Sequence, residues 1–386
     1  MSTATRTLRP GDWPCRTAAL RTTTIALLTL LGLTTVAPPL RAGELYKPER
    51  LDAAGTPEQI GRAVGLKYGK VIRGLHPTFL NTVRLMRLST KETIYKQARE
   101  MAAALDPADV AEMKALAQAG GIDYDDLLFL NLFYQFVSGP ACRQIAVFGP
   151  ASRDGHLLHA RNLDWPDYPH HPLQRNNLIL NVRPAGGIEY LALTYPGLTC
   201  VLTGTNRKGI TVAFNQLRSD GHAHAGEPTF FTLKRVLRTC STLAEAIDLI
   251  RRATPSGNGS VLISDAAART AAVVEILGRE TRVRAAKDGM ISNANHATRE
   301  AGWKDRMVGP ADWPVTWAAR KIARRFGPKD LQAVLACDEV LQRMNILSVV
   351  FDPTGNRMFL SCGPAPAAKA DFVEYPLFQR DDPSGK

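Results

Sequence analysis

The 386-residue sequence has no Cys-x-x-Cys pair and no Cys/His cluster at zinc-ligand spacing, so no zinc centre is expected. His170-His171 and the pair His222 and His224 lack carboxylates at metal spacing, which removes the other candidate metal sites. There is no Gly-x-Ser-x-Gly elbow, which argues against a serine hydrolase. Gly204 to Gly209 lacks the Lys-Ser/Thr of a phosphate loop, and Gly257-Asn258-Gly259 has no helical continuation. No internal repeat or low-complexity tract occurs. With 45% hydrophobic and 22% charged residues, the composition excludes disordered, collagenous and polytopic membrane chains. Neither a metal nor a cofactor is implied.

What is present in excess is positive charge, a formal +12. A nucleic-acid partner is the first reading of such a surplus. Location weakens it: residues 1–42 hold Arg6, Arg9, Arg16, Arg21 and Arg41 against Asp12 alone, and the rest is dispersed apart from Arg320, Lys321, Arg324 and Arg325. Nucleic acid is therefore not an expected partner. A solvated helix face accounts for the second cluster better than a lipid contact does.

Thr22 to Leu40 carry no charge and follow four arginines, the pattern of a basic n-region and an apolar h-region. Residues 1–42 are read as a signal peptide cleaved after Ala42, and the protein as exported to a periplasmic or extracellular space. The alternative is an uncleaved anchor that keeps the protein close to a membrane; the threonines and Pro38-Pro39 dilute the segment as a span. Five cysteines follow, Cys142, Cys200, Cys240, Cys337 and Cys362. Two disulfides and one free thiol would fit, with the pairing open.

Thr56-Pro57-Glu58-Gln59 is a capping box with proline at the first helical position, followed by Ile60, Val64, Tyr68, Val71 and Leu75 at helical spacing. Asp106 and Asp123 start further helices, so 56–135 reads as helical. From Cys142 the pattern turns to short strands, 143–148, 156–160, 177–183, 188–193, 198–203 and 209–214. Helices are expected at 229–251, where Thr242 and Glu245 form a second capping box, and near 314–344. Strands are expected at 260–264, 271–277, 282–285 and 289–292, and a hairpin at 346–351 and 357–361. Strand groups alternating with helix pairs suggest two packed sheets with helices outside them.

The stretch Cys142 to Phe148, a loop, and Gly155 to Trp165 reads as an antiparallel hairpin. Pairing Phe148 with His156 sets Cys142 opposite Asn162, close to Arg161 and Asp164. A guanidinium beside a thiol favours its anion. The competing reading is a packed strand cysteine with a structural ion pair. A papain-like pairing of Cys142 with His156, His159 or His296 is disfavoured because the first two lie within the strand itself.

The helical end Gly-Ile-Asp-Tyr-Asp-Asp-Leu-Leu-Phe-Leu-Asn (121–131), then Cys142, then Gly-x-Leu-x-x-x-Arg-Asn-Leu-Asp-Trp (155–165) resembles the cysteine N-terminal-nucleophile (Ntn) hydrolases. It is most similar to the self-processing acyl-coenzyme A:6-aminopenicillanic acid acyltransferase family, with bile salt hydrolases, penicillin acylases and acid ceramidases as relatives. Gly204 to Asn215, Gly289 to His296, Arg306 and Val349 to Pro353 follow in the family's order. The resemblance implies an α+β fold, a four-layer αββα sandwich preceded by a helical N-terminal segment. It implies a cut between Ala141 and Cys142, made by Cys142 on its own preceding carbonyl. The pieces are then the signal (1–42), a helical α-chain (43–141) and a catalytic β-chain (142–386), the last two held together as a heterodimer.

In that scheme the freed α-amine of Cys142 is the general base. Asp164 holds the amine or ammonium, and Arg161 favours the thiolate. Asn215 donates to the oxyanion, Asn293 or Asn295 orients the α-amine or substrate, and Arg306 supports the site. The expected activity forms an acyl-thioester from an N-acyl amide and passes the acyl group to water or an amine. An acid-ceramidase-like lipid amidase or ester hydrolase, and a catalytically degenerate binding protein on the same fold, are the alternatives. Loops 166–176 and 216–228 are the expected substrate walls.

Overall fold

The computed structural model describes residues 46–85, 90–136, 142–167, 172–217, 226–278, 280–297 and 313–379. The segment 1–42 read as a signal peptide, Ala141 and Arg306 lie outside the described residues. In chain order, the part before Cys142 forms β1 (Glu49–Gly55), α1 (Pro57–Leu85), α2 (Lys91–Ala102), α3 (Pro107–Gly120) and α4 (Tyr124–Phe136). Then follow β2 (Arg143–Val147), β3 (Leu158–Asp164), α5 (Pro172–Arg175), β4 (Leu178–Pro184), β5 (Tyr190–Thr194), β6 (Thr203–Asn206), β7 (Ile210–Gln216), α6 (Thr229–Thr239) and α7 (Leu243–Arg252). The remainder is β8 (Gly259–Asp265), β9 (Thr270–Leu277), β10 (Glu280–Ala285), β11 (Met290–Asn293), α8 (Trp313–Ile322), α9 (Pro328–Ala336), β12 (Asn345–Asp352), β13 (Arg357–Ser361) and β14 (Val373–Pro376).

The helix starts are set by the side chains that the sequence singles out. Gln59 Oε1 accepts from the Thr56 N–H at 2.8 Å while Thr56 Oγ1 accepts from the Gln59 N–H at 3.4 Å. Asp106 Oδ1 caps α3 through the Ala108 N–H, and Thr242 with Glu245 closes the box on α7.

Among the described residues the strands form two sheets, ordered β1-β4-β5-β6-β7-β8-β9-β10 and β11-β2-β3-β12-β13-β14. Strand alternation sorts their side chains into layers. From the larger sheet, Leu178, Leu180, Val212 and Val261 point outward and share a core with Ile72 of α1, Phe133 of α4 and Leu233 of α6. Ile179 and Leu191 point the other way, onto Val349 and Phe351 of β12. Leu262 and Val273 likewise meet Ala146 of β2. On the far face of the smaller sheet, Ile145, Ala160 and Val350 pack against α8 and α9 through Val315, Leu331 and Val334. The order of layers is helices, sheet, sheet, helices, as the αββα reading requires.

Residues before and after Cys142 are interleaved in this body. Strand β1 pairs in parallel with β4, Glu49 opposite Leu178 through Gly55 opposite Pro184. Helix α1 lies unusually close to α3 because Gly61, Gly65 and Gly69 recur every fourth residue along the contact. A Cβ on Gly65 would stand 2.4 Å from the Leu116 carbonyl oxygen, and one on Gly69 2.4 Å from that of Gly120. Across α3 and α6, the ammonium of Lys234 sits 2.8 Å from Asp109 and 2.7 Å from Glu112, with all three side chains buried.

Two expectations are corrected. The apolar run 198–203 is not a strand: Thr199 is held by Asn131 and the Val201 N–H by the Phe230 carbonyl, so pairing begins only at Thr203. The five cysteines from Cys142 onward are all free thiols.

Candidate active site

Strands β2 and β3 pair with Arg143 opposite Asn162 and Val147 opposite Leu158. This is one residue off the expected register. Gly149–Ala151 form a 3-10 turn, and His156 is drawn off to Asp154 and Asp352, so Phe148 and His156 do not pair. Carried one residue beyond Arg143, the register sets Cys142 across from Leu163, beside Asp164. Arg161 pairs with Gln144 on one side and with Val349 on the other, on the face turned toward the larger sheet.

Cys142 is buried, and side chains meet its sulfur, its nitrogen and its carbonyl oxygen, the last also taking a hydrogen bond from Arg143 Nη1 at 3.0 Å. Arg161 Nη2 lies 3.5 Å from its Sγ. The same guanidinium donates to the carbonyls of Leu202 at 2.9 Å and Phe214 at 3.0 Å, which fixes it across the gap between the sheets. The Cys142 N–H donates to Asn295 Oδ1, and Asn295 Nδ2 is anchored on the Gln216 carbonyl at 2.7 Å. Asn215 Nδ2 points at the Cys142 carbonyl oxygen at 3.4 Å.

A chain of buried amides stands behind Asn215. Gln144 Nε2 donates to Asn215 Oδ1, which turns the Nδ2 end toward Cys142. Asn293 Nδ2 in turn reaches Gln144 Oε1 at 3.5 Å, and Asn293 pairs with the Ser260 hydroxyl. So of the two asparagines in the Ser-Asn-Ala-Asn-His stretch, Asn295 touches Cys142, while Asn293 reaches it only through Gln144 and Asn215. Gln144 and Ser260 are not legible as site residues in the sequence. The available signal for Gln144 is its position two residues past the thiol, hence on the same strand face.

Asp164 is fully buried, and neither carboxylate oxygen has a hydrogen-bond partner among the described residues. Asn345 stands opposite it on β12 but gives its amide protons to the carbonyls of Leu163 and Leu347. Burial pushes the Asp164 carboxyl up to about 7, against the weaker opposing pull of Asn345, Arg143 and Arg161. The expected contact from Asp164 to the Cys142 nitrogen is not made; Asn295 occupies that nitrogen instead.

Neither His156 nor His159 is assembled with the thiol. His159 Nδ1 bonds Ser264 at 2.9 Å, and burial lowers its pKa to about 3, while His156 pairs with Asp352. Burial pushes the Cys200 and Cys362 thiols well up and raises that of Cys240 too. The expected substrate loops fall partly outside the described residues, which stop at 167 and 217 and resume at 172 and 226.

Comparison with known proteins agrees with the residue pattern. Residues 151–311 match the family model described as acyl-coenzyme A:6-aminopenicillanic acid acyl-transferase. The matched span includes Arg161, Asp164, Asn215, Asn293, Asn295 and Arg306 and begins after Cys142. Protein dcd1A of Dictyostelium discoideum is 24% identical over 362 residues, covering 83% of this chain and 81% of that protein. Among solved structures, a Caenorhabditis elegans N-acylethanolamine-hydrolyzing acid amidase ortholog aligns with TM-score 0.44 and 19% identity over 55% of this chain and 93% of its own. A mutant conjugated bile acid hydrolase from Clostridium perfringens aligns with TM-score 0.35 and 11% identity over 63% of this chain and 100% of its own.

Proposed function

We propose that this chain, whose residues 151–311 match the acyl-coenzyme A:6-aminopenicillanic acid acyl-transferase family, is an exported, self-cleaving cysteine amidase or acyltransferase. The observation that carries the reading is the convergence on one residue: Arg161 at the sulfur, Asn295 at the nitrogen and Asn215 at the carbonyl oxygen of Cys142.

Self-cleavage begins with attack of the Cys142 sulfur on the Ala141 carbonyl carbon. The peptide C–N bond breaks as the thioester forms, and the nitrogen takes up the proton. Water then hydrolyses the thioester, leaving a carboxylate on Ala141 and a free thiol and α-amine on Cys142. An α-amine has an ordinary pKa of about 7.7–8.0 and a thiol of about 8.5, so the amine can take the thiol proton near neutrality. The substrate cycle repeats the chemistry. The thiol adds to the amide carbonyl, the protonated α-amine gives its proton to the leaving amine, and water or a second amine resolves the acyl-thioester.

Each neighbour has a role in this cycle. Arg161 favours the thiolate, Asn215 donates to the developing oxyanion, and Asn295 holds the nitrogen in place. Asp164, buried with two free oxygens, supplies a counter-charge for the ammonium that cleavage creates. Arg306 belongs to the same proposal as a supporting residue. With export through residues 1–42, hydrolysis is favoured over transfer from acyl-coenzyme A, which is a cytoplasmic donor.

Intact mass and N-terminal sequencing of the purified protein test the reading. Two pieces are expected, one starting at Cys142 with 245 residues and one ending at Ala141, and Cys142→Ala should remain a single inactive chain. An uncut wild-type chain that still hydrolyses N-acyl amides would overturn it. A panel of N-acyl amides, β-lactams and lipid amides then assigns the acyl and amine parts.

A further inference from the structure

A cavity of about 800 Å³, lined by none of the residues that meet Cys142, lies between the β10–β11 turn and α8. That size is in the range of small-molecule sites. Four cationic side chains line it, and they come from different elements: Arg284 from β10, Lys287 from the turn after it, Arg320 from α8 and Arg324 from the chain beyond. Asp288 is the one acidic residue lining it. Among the described residues, Lys287, Arg320 and Arg324 have no ion-pair partner, in contrast to the neighbouring Lys321, which pairs with Glu339.

A solvated helix face would place such charges on α8 alone. Here the turn brings Lys287 to the same space as Arg320 of α8 and Arg324 beyond it, and like charges gathered in this way repel one another. The walls are also fixed. Arg284 Nη2 donates to the Ser292 carbonyl at 2.7 Å, and the Ser292 hydroxyl meets Thr316 Oγ1 of α8 at 2.7 Å. Accessible apolar lining comes from Pro150, Ala285, Met290 and Ala323.

Guanidinium forks suit phosphate oxygens, and an apolar lining suits a hydrocarbon body. We propose that this cleft is a second binding site, independent of the chemistry at Cys142, for an amphiphile with a phosphate headgroup. Such a ligand reaches the cleft either as a dissolved monomer or from a bilayer surface, and the two sources are separable.

The test measures binding to the full-length protein by calorimetry with inorganic phosphate and with dihexanoyl phosphatidic acid below its micelle concentration. Flotation with phosphatidylcholine vesicles, with and without phosphatidic acid, is the third arm. The proposal expects saturable binding of the monomer, one per chain, tighter than inorganic phosphate by about tenfold or more. Arg320→Glu with Arg324→Glu, and separately Lys287→Glu, should each weaken it by about tenfold. The matched charge reversal Arg62→Glu with Lys70→Glu on α1 should leave it unchanged. Vesicle flotation that follows monomer binding identifies the bilayer as a source, and monomer binding alone identifies the dissolved form. Absence of monomer binding, equal affinity for inorganic phosphate, or equal loss in the α1 variant would each overturn the proposal.

Discussion

The carboxyl of Asp164 offers the most demanding check, because its burial makes a prediction about stability that is independent of any substrate. Its pKa rises from 3.8 to about 7 in the folded chain. The folded state therefore keeps a proton that the unfolded state loses as pH rises from about 4 to about 7. Stability attributable to this group falls across that window and is level above it. At ~1.36 kcal/mol per pKa unit the fall amounts to about 4 kcal/mol. Asp164→Asn keeps the shape and removes the ionisation. The comparison is best made in a Cys142→Ala background, which keeps the chain whole, by urea titration at pH 5 and pH 8. There Asp164→Asn should gain on its parent at pH 8 by about 2.6 kcal/mol more than at pH 5, the part of the fall that lies between those two pH values. The same substitution in the wild-type chain should abolish activity, since a neutral amide is no counter-charge. A variant that loses stability equally at both pH values would refute the reasoning and show that the carboxylate is well solvated or well paired.

Two further outcomes follow from the buried polar groups. Asn215→Ala should lower kcat by ~10²–10³, and Gln144→Leu, which frees Asn215 to turn, should lower kcat by less while leaving KM nearly unchanged; a defect confined to KM in steady-state assays would exclude Gln144 as a positioning residue. Lys234→Met strands the carboxylates of Asp109 and Glu112 in the core and should cost about 3–5 kcal/mol in chemical denaturation, whereas replacing all three with apolar residues of similar size should recover most of it.

What could be read in the sequence was local. Caps at Thr56, Asp106 and Thr242 depend on residues three or fewer positions apart, and the alternation in β4, β8, β9 and β12 depends on immediate neighbours. Strand β1 escaped because its partner β4 is more than a hundred residues away and its own pattern, Glu-Arg-Leu-Asp-Ala-Ala-Gly, barely alternates. The run at 198–203 misled because apolar content signals burial, not pairing; a buried asparagine on α4 decides its path. At the site, Cys142, Arg161, Asn215 and Asn295 meet although only the first two are near in sequence. Ser260 carries no signal because a hydroxyl in a strand has no spacing signature until the opposing sheet is in place, and the placement of Gln144 two residues past the thiol gives its face but not its partner Asn215.

The parallel pairing of β1 with β4 has a consequence for how the protein comes to be folded. The larger sheet, the α1–α3 helix pair with its neighbour α6, and the buried Lys234 cluster all draw on residues from both sides of position 142. If the chain is cut there, the native body loses a single covalent link and none of these contacts. Refolding, however, changes order: what was a unimolecular search becomes an encounter between two chains, neither with a complete core. Assembly is then a one-time event tied to synthesis, and the mature enzyme's persistence is set by its unfolding rate rather than by its equilibrium with a denatured state.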